Sequence, residues 1–306
     1  MQGRLHAYLV LSLAMQKNRS LAWILLIILS LIWGSSFILM KRGLEAFSSE
    51  QVAALRIGIA FLFLLPLMLR NYRIDLKKYF IGILGMGVFG NLIPAFLFTK
   101  AETGISSSLT GMLNALTPLF TIIVGMLAFR IKTNKLQFAG ILVGFGGALV
   151  LLSYSESDGS TNNYVFGLLV VLATLCYAIS VNMIRRFLSD LNSVTATVWS
   201  FTFIGPVALA YLFTTDFISV IKTNPGATGA LAYISILAIV GSAISVILFN
   251  ILIKISGSVF AASCTYLIPV VAISWGVADG EPVNLMQVAA IFVILGGIWL
   301  INKKKA

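Results

Sequence analysis

The chain has 306 residues, of which 59% are apolar and only 10% are charged, and its formal net charge at pH 7 is +11. Its mean hydropathy is +1.01, whereas soluble domains carry about 25% charged residues. The composition therefore excludes a soluble globular domain and predicts a protein of the lipid bilayer. Two cysteines and one histidine are too few for a disulfide framework or a metal site, so we expect no metal and no cofactor.

The chain begins with a segment that is too short to cross a membrane. Residues 1–20 are predicted to be a cytoplasmic segment, and their apolar run at 7–15 falls short of a span. The run is typical of a weak signal-like segment or of an interfacial helix. A third interpretation favours Met15 as the natural start, which leaves an ordinary polar lead-in.

Ten apolar stretches follow, and most approach the roughly 20 residues that a helix needs to cross the bilayer core. The predicted spans are 21–40, 49–69, 79–99, 105–129, 136–153, 164–184, 194–213, 229–253, 258–278 and 285–302. The longest connection, at 154–163, leaves no room for a soluble domain. The sequence therefore predicts an all-α membrane protein of ten transmembrane helices.

The charges predict the orientation of these spans. If the N-terminus is cytoplasmic, sixteen of the 21 basic residues fall on the cytoplasmic side and eight of the ten acidic residues fall outside. This bias satisfies the positive-inside rule and predicts a protein of the cell (inner) membrane with both termini in the cytoplasm. Topology accounts for the net positive charge, so we expect lipid around the chain and no nucleic-acid partner.

The chain also contains an internal repeat. Residues 137–147 and 287–297 share glutamine, alanine, isoleucine, valine and a closing glycine pair in register, and Pro118 and Pro269 stand 151 positions apart. Repeats of this length are typical of transporters built from two related halves.

Each half contains five spans, which is an odd number. The second half must therefore enter the membrane from the opposite side, and the predicted repeats at 21–155 and 164–302 are inverted. Inverted repeats place a substrate site near the bilayer midplane and expose it to each side in turn. The sequence thus favours alternating-access transport.

Three motifs resemble the drug/metabolite transporter superfamily in its EamA-like branch. They are Leu-Ile-Trp-Gly-Ser-Ser-Phe at 31–37, Leu-Arg-Ile at 55–57 and Leu-Asn-Ala-Leu-Thr-Pro-Leu-Phe at 113–120. The resemblance covers nearly the whole chain and implies movement of small metabolites, including amino acids, across a bacterial inner membrane, often outward. The chain departs from the family at Phe129-Arg130, where the family shows Gly-Glu, and keeps that pair as Gly280-Glu281.

Superposing the halves locates candidate pocket residues. Spans 3 and 8 align at an offset of 151 and spans 1 and 6 at 144, and both alignments match polar or aromatic residues on one helical stripe. With Asn114 from the fourth-helix motif and Tyr266 from span 9, the expected substrate-binding residues are Trp33, Ser36, Asn91, Pro94, Phe98, Asn114, Tyr177, Ser180, Ser242, Ser245 and Tyr266. The alternative is plain helix packing, with interhelical hydrogen bonds worth about 0.6 kcal/mol each.

Three further residues invite a functional interpretation. Arg56 is the one charge well inside a span, at a cost of about 2.5–3.5 kcal/mol. It snorkels to the outer headgroups or caps neighbouring carbonyl groups, and the alternative is that it binds a substrate carboxylate. Pro118 and Pro269 are expected to bend spans 4 and 9, as hinges for two gates or as static kinks for packing.

The sequence thus predicts a secondary transporter that exports amino acids or similar neutral or amphipathic metabolites, as a monomer or weak homodimer. The alternative is a facilitative channel, which needs a continuous polar stripe through several spans. We expect no enzyme, because the dinucleotide-like fingerprint at 85–90 lies inside an apolar span. All ten acids fall in loops or at span ends, with Glu102 the closest to a span, so we expect no midplane carboxylate for proton coupling.

Overall fold

The computed structural model describes residues 2–69, 73–130, 135–153, 163–256, 260–261 and 263–302. The predicted loop at 154–163 lies outside the described residues except for its last position. All regular structure in the described ranges is helical, with no strand.

Fourteen α-helices are defined in these ranges. In the first half they are α1 (Gln2–Leu44), α2 (Ser49–Met68), α3 (Leu76–Gly87), α4 (Ile93–Ala101), α5 (Ser107–Leu113), α6 (Thr117–Phe129) and α7 (Lys135–Ser153). In the second half they are α8 (Asn163–Phe187), α9 (Ser193–Leu212), α10 (Phe217–Thr223), α11 (Ala227–Ala238), α12 (Ser245–Ser256), α13 (Ile268–Ala278) and α14 (Leu285–Asn302).

Seven helical segments are long and apolar enough to cross a membrane. They are Ser20–Leu44, Ser49–Met68, Leu76–Ala101, Ser107–Phe129, Tyr164–Phe187, Ser193–Leu212 and Ala227–Ser256. Three shorter apolar helices lie at Lys135–Leu151, Cys264–Ala278 and Leu285–Leu300. The predicted all-helical membrane architecture is confirmed, whereas the count of ten spans stays a prediction because three of the helices are short.

Capping residues in the short loops define where the helices begin. The Ser48 side chain accepts a hydrogen bond from the Gln51 nitrogen, and the Gln51 side chain accepts one from the Ser48 nitrogen, which forms a capping box at α2. Asn192 caps α9 through the nitrogens of Val194 and Thr195. These caps satisfy the free backbone N–H groups that every helix start leaves.

Helices of the two halves pack on each other in matching pairs. α1 of the first half packs against α11, α12 and α13 of the second half. In the same way, α8 of the second half packs against α3, α4 and α6 of the first half. α2 packs against α9, and α7 packs against α14. Six helical segments therefore surround the centre of the bundle, and the two pairs α2–α9 and α7–α14 flank them.

The α7–α14 pair depends on glycines, as the repeated glycine-rich segments predict. A Cβ atom at Gly297 would lie 2.6 Å from the carbonyl oxygen of Gly140 and from the nitrogen of Gly144. No side chain fits this approach, so the closing glycine of the repeat lets two backbones meet directly.

Candidate substrate cavity

A cavity occupies the centre of the bundle, and most of the predicted binding residues line it. Those that contribute to its wall are Trp33, Ser36, Arg56, Asn91, Phe98, Asn114, Tyr177 and Ser180. The predicted residues outside the wall are Pro94, Ser242, Ser245, Tyr266, Pro118 and Pro269. The 144-residue alignment matched an aromatic pair, Trp33 with Tyr177, and a hydroxyl pair, Ser36 with Ser180. All four side chains line this one cavity.

Trp33 is held in place by the helix that continues into α12. Its indole Nε1 donates to the Gly241 carbonyl oxygen at 3.2 Å and to Ser245 Oγ at 3.1 Å. Its ring meets Phe249 edge-on, with centroids 5.0 Å apart. Ser245 therefore faces the indole rather than the cavity, and its role is to orient Trp33.

Arg56 projects from α2 into the cavity wall, and its hydrogen bond is directed inward rather than towards the end of the span. Its Nε donates to Ser242 Oγ at 2.8 Å, and Tyr177 lies close enough to interact with the guanidinium. Ser242 is buried behind the arginine. Packing of α2 against α11 and the following π-helical turn supplies this inward partner, which a count of residues from the span end does not reveal.

The remaining aromatic residues form a continuous wall. Phe98 stacks on Tyr177 with centroids 5.7 Å apart and an interplanar angle of 29°. Phe98 also tilts against Phe37 at 5.8 Å. Offset and tilted ring pairs of this kind stabilise aromatic clusters, so one side of the cavity is aromatic and apolar.

A π-helical turn interrupts the expected stripe at positions 91, 94 and 98. The turn spans Val88–Leu92 between α3 and α4, and Asn91 Nδ2 donates to the Met86 carbonyl oxygen at 3.2 Å. Pro94 is buried outside the cavity wall, whereas Phe98, one turn later on α4, lines it. The second half has a π turn at Ile239–Ile244, which begins 151 residues later.

Pro118 and Pro269 lie in the first turns of α6 and α13 rather than within uninterrupted helices. A 3₁₀ turn at Asn114–Leu116 precedes the first, and another at Ser263–Tyr266 precedes the second. Proline suits a first turn because its missing N–H is not needed there. The paired breaks place Asn114 in the cavity wall, whereas Tyr266 lies outside it. The hinge role of the prolines stays a prediction.

An ion-pair network lies at one end of the bundle. We call this end the acidic end and define it by Lys41, Ser107, Asp279 and Glu281. Lys41 Nζ donates to Asp279 Oδ2 at 2.6 Å and to Glu281 Oε1 at 2.7 Å. Arg42 also pairs with Asp279. The network links the end of α1 to the loop that follows α13.

Glu281 is the centre of this network. Its Oε1 accepts from the Ser107 nitrogen at 3.1 Å and Oγ at 2.8 Å, and its Oε2 accepts from the Ser108 nitrogen at 2.9 Å and Oγ at 2.6 Å. Burial alone would raise the pKa of Glu281, but the hydrogen bonds from Lys41, Ser108 and Ser107 lower it to about 2. The side chain is only 5% exposed, so this carboxylate fastens α5 to the acidic end.

The opposite end, which we call the basic end, carries Lys78, Asp190 and Lys254. Ile184 and Asn250 line both the central cavity and a second groove that reaches this end beside Arg185 and Lys254. The groove therefore continues from the cavity wall towards the basic end, whereas the ion-pair network lies at the acidic end.

Glu102 lies directly after α4 near the acidic end, and its environment was not expected from the sequence. Both carboxyl oxygens are buried and accept no hydrogen bond from the described part of the chain. Burial raises the pKa of Glu102 well above its usual range, the Glu281 charge adds to this effect, and Lys41 and Arg56 oppose it. Its position at a helix end was predicted correctly, but its burial was not.

Further polar residues of the wall were missed. Asn250, Thr117, Thr121 and Thr265 line the cavity, and Asn250 Nδ2 donates to Thr197 Oγ1 at 3.1 Å while its Oδ1 is buried without a partner among the described residues. The 151-residue offset pairs Asn114 with Thr265. Extending the alignment beyond span 8 would therefore have identified Thr265 as a wall residue.

The EamA-like transporter family matches the chain twice, over residues 20–153 and 166–303. The chain belongs to this family. The "Uncharacterized transporter YyaM" of Bacillus subtilis is 28% identical to it, over 90% of this chain and 91% of the relative. The "Uncharacterized inner membrane transporter YedA" of Escherichia coli K12 is 26% identical, over 90% and 89%.

Another relative has a more specific name. The "Probable amino-acid metabolite efflux pump" of Salmonella typhimurium is 25% identical, over 90% of this chain and 93% of the relative. A solved crystal structure aligns with a TM-score of 0.61 at 18% identity, over 92% of this chain and 96% of the other, which shows a shared fold. The family and these relatives are transporters rather than enzymes.

Proposed function

We propose that this protein is a secondary transporter that exports small amphipathic metabolites, amino acids among them, by alternating access. The observation that carries the proposal is the central cavity, which is lined by repeat-equivalent residues, with the ion-pair network at the acidic end and a groove that continues towards the basic end. A cavity with access from one side is what a carrier presents at one stage of its cycle.

The proposed topology has ten spans in two inverted repeats, 21–155 and 164–302, in the inner membrane. The matching packing of α1 and α8 supports it, as do the π turns that begin 151 residues apart. With both termini in the cytoplasm, the acidic end is the outer end and the basic end is cytoplasmic. The structure then corresponds to a state open to the cytoplasm, which is the state in which an exporter loads.

Two considerations favour a carrier over a channel. The ion pairs at the acidic end would have to separate before a solute passed, whereas an open pore needs a continuous polar path. The name of the Salmonella relative, a probable amino-acid metabolite efflux pump, supports export of amino-acid-like compounds. We propose that the chain works as a monomer or weak homodimer in lipid, without nucleic acid.

Counterflow of a labelled metabolite tests this function. Comparison of metabolites in the medium of cells with and without the protein identifies an exported compound, and full-length protein in liposomes preloaded with that compound should then accumulate the label transiently. Exposed Asp190→Asn serves as a matched control and should transport normally. Ion currents without saturable counterflow would support the channel and overturn the carrier.

A further inference from the structure

We infer that the group recognised in the central cavity is a carboxylate bound by Arg56, and that the substrate class is small monocarboxylates with a flat apolar body. An amino group on the substrate is tolerated but not required. This inference rests on the proposed function and narrows it, because it ranks organic acids at or above amino acids.

The first step concerns charge. Among the described residues that line the cavity, Arg56 alone is charged, and it has no ion pair with any described residue. Glu102 is the acid that influences it from beyond the cavity wall, and its carboxyl accepts no hydrogen bond from the guanidinium. An arginine within a membrane protein is costly without an opposite charge. A bound anion would supply that charge.

The second step concerns geometry. Arg56 uses its Nε to hold Ser242 Oγ, which orients the planar guanidinium. The two Nη groups of an arginine form a fork that matches the two oxygens of a carboxylate. Tyr177 lies near the guanidinium and lines the cavity. Its hydroxyl would donate a hydrogen bond to the same carboxylate. Arginine and tyrosine together form a carboxylate site on the cavity wall.

The third step concerns the body of the ligand. Trp33, Phe37, Phe98 and Phe249 line the same cavity as Arg56, with ring centroids 5.0–5.8 Å apart in neighbouring pairs. Aromatic rings pair favourably with further aromatic rings in offset-stacked or edge-to-face geometry. A ligand that places its carboxylate on Arg56 would therefore lay its body along these rings.

The fourth step concerns an ammonium group. No acidic side chain among the described residues lines the cavity, so an ammonium would find only neutral acceptors such as the unpartnered Oδ1 of Asn250. The charge on Arg56 would repel a cation. Zwitterions are thus accepted through their carboxylate, whereas amines without one are excluded.

A charge series on one skeleton tests the inference. Binding to the full-length protein in lipid nanodiscs is measured for 3-phenylpropionate, 3-phenylpropionamide and 3-phenylpropylamine, which differ mainly in charge, and for phenylalanine. We expect the acid to bind at least tenfold more tightly than the amide and the amine, and at least as tightly as phenylalanine. Equal binding of acid and amide, tighter binding of the amine, or no binding of the acid at millimolar concentration would overturn the inference.

Two variants assign the preference to Arg56. Arg56→Gln should remove the advantage of the acid over the amide, and Arg56→Lys should keep a reduced advantage because it retains charge but loses the fork. Lys100→Gln, at an exposed site outside the cavity, is the control and should bind like the wild type. An advantage that survives in Arg56→Gln would refute the assignment, and the wild-type series alone decides the substrate class if that variant does not fold.

Failure of the inference and failure of the proposed function give different results. Counterflow of the amide or the amine at the rate of the acid overturns the carboxylate inference while transport stands. Selective binding of the acid without counterflow by any compound overturns the transport proposal while the carboxylate site stands.

Discussion

Replacing Glu281 by glutamine should open the acidic end. The carboxylate accepts four hydrogen bonds from Ser107 and Ser108 and one from Lys41. An amide at the same place has only one acceptor oxygen, and its NH₂ group would face donors. Glu281→Gln therefore removes the negative charge and places the amide NH₂ against a hydrogen-bond donor of at least one serine. The volume of the side chain changes little.

The pKa of Glu281 gives the magnitude. A pKa lowered from 4.5 to about 2 corresponds to roughly 3 kcal/mol of preference for the carboxylate in the closed state. Lys41 is 35% exposed, so water would replace part of its ion pair and reduce this figure. We expect a loss of about 1.5–3 kcal/mol, which raises the population open at the acidic end roughly tenfold to a hundredfold.

The sign of the pH dependence follows from the same shift. Because the pKa of Glu281 is lowered in the closed state, its contribution is complete above pH 4.5 and is lost as the pH falls towards about 2. Closure by Glu281 should therefore not vary between pH 6 and 8.

Labelling of a cavity cysteine measures the open population. Cys176 and Cys264 are free thiols, so both are replaced by alanine, and Ser36→Cys, in the cavity wall of α1, serves as the reporter. A membrane-impermeant maleimide added to intact cells should label the reporter tenfold to a hundredfold faster in Glu281→Gln.

The control is Asp190→Asn, which breaks the half-exposed pair with Lys78 at the basic end and should leave labelling unchanged. A wild-type labelling rate in Glu281→Gln, at equal amounts of protein in the membrane, would refute the reasoning. Rapid labelling of the reporter in the wild-type background would instead show that the basic end faces outward.

Three other predictions follow from the same contacts. Asn91→Leu and Ser242→Ala should each weaken substrate binding about fivefold, because each loses about 1 kcal/mol of hydrogen bonding. The amount of protein in the membrane should not change, and wild-type binding in both variants would show that these groups only pack between helices. Glu102→Gln should flatten the pH dependence of thermal stability. Burial raises the pKa of Glu102, so the stability of the wild type falls as pH rises above 4.5. The same change of melting temperature with pH in the wild type and the variant would contradict this. Arg130→Glu with Phe129→Gly should restore the Gly-Glu pair at the basic end and slow labelling of the cavity from that side, measured in inside-out vesicles, and unchanged labelling would show that the pair does not close it.

The repeat carries most of what the sequence predicts correctly about the site. Trp33, Ser36, Tyr177 and Ser180 were matched by an offset alone, and all four line the cavity. The inference works because equivalent positions of two related halves face the same axis, whatever the packing between them. Knowledge of the contacts was not needed.

The errors have physical causes that local periodicity does not contain. Pro94 was placed in the wall by a 3.6-residue period, but it is buried outside the wall while Phe98, one turn later on the same helix, lines it, so a shared helical face does not decide which side chain reaches the cavity. The snorkelling alternative for Arg56 rested on its distance from the span end, whereas Ser242, 186 positions away, accepts a hydrogen bond from its Nε. Lys41 and Glu281 were counted as separate loop charges, because pairing across 240 positions is decided only by the tertiary fold.

The asymmetry between the two halves bears on the direction in which the cavity opens. At an offset of 151, Phe129-Arg130 corresponds to Gly280-Glu281, and at 144 Arg185-Arg186 corresponds to Lys41-Arg42. At the acidic end the carboxylate of Glu281 pairs with Lys41, whereas the aligned position of the first half carries Arg130. In the proposed inverted-repeat arrangement, Arg130 and Arg185 lie at the basic end, where two positive charges cannot form the ion pair that joins Lys41 and Glu281. The proposed transporter would then favour the state in which the cavity continues to the basic end, which the proposed topology places in the cytoplasm.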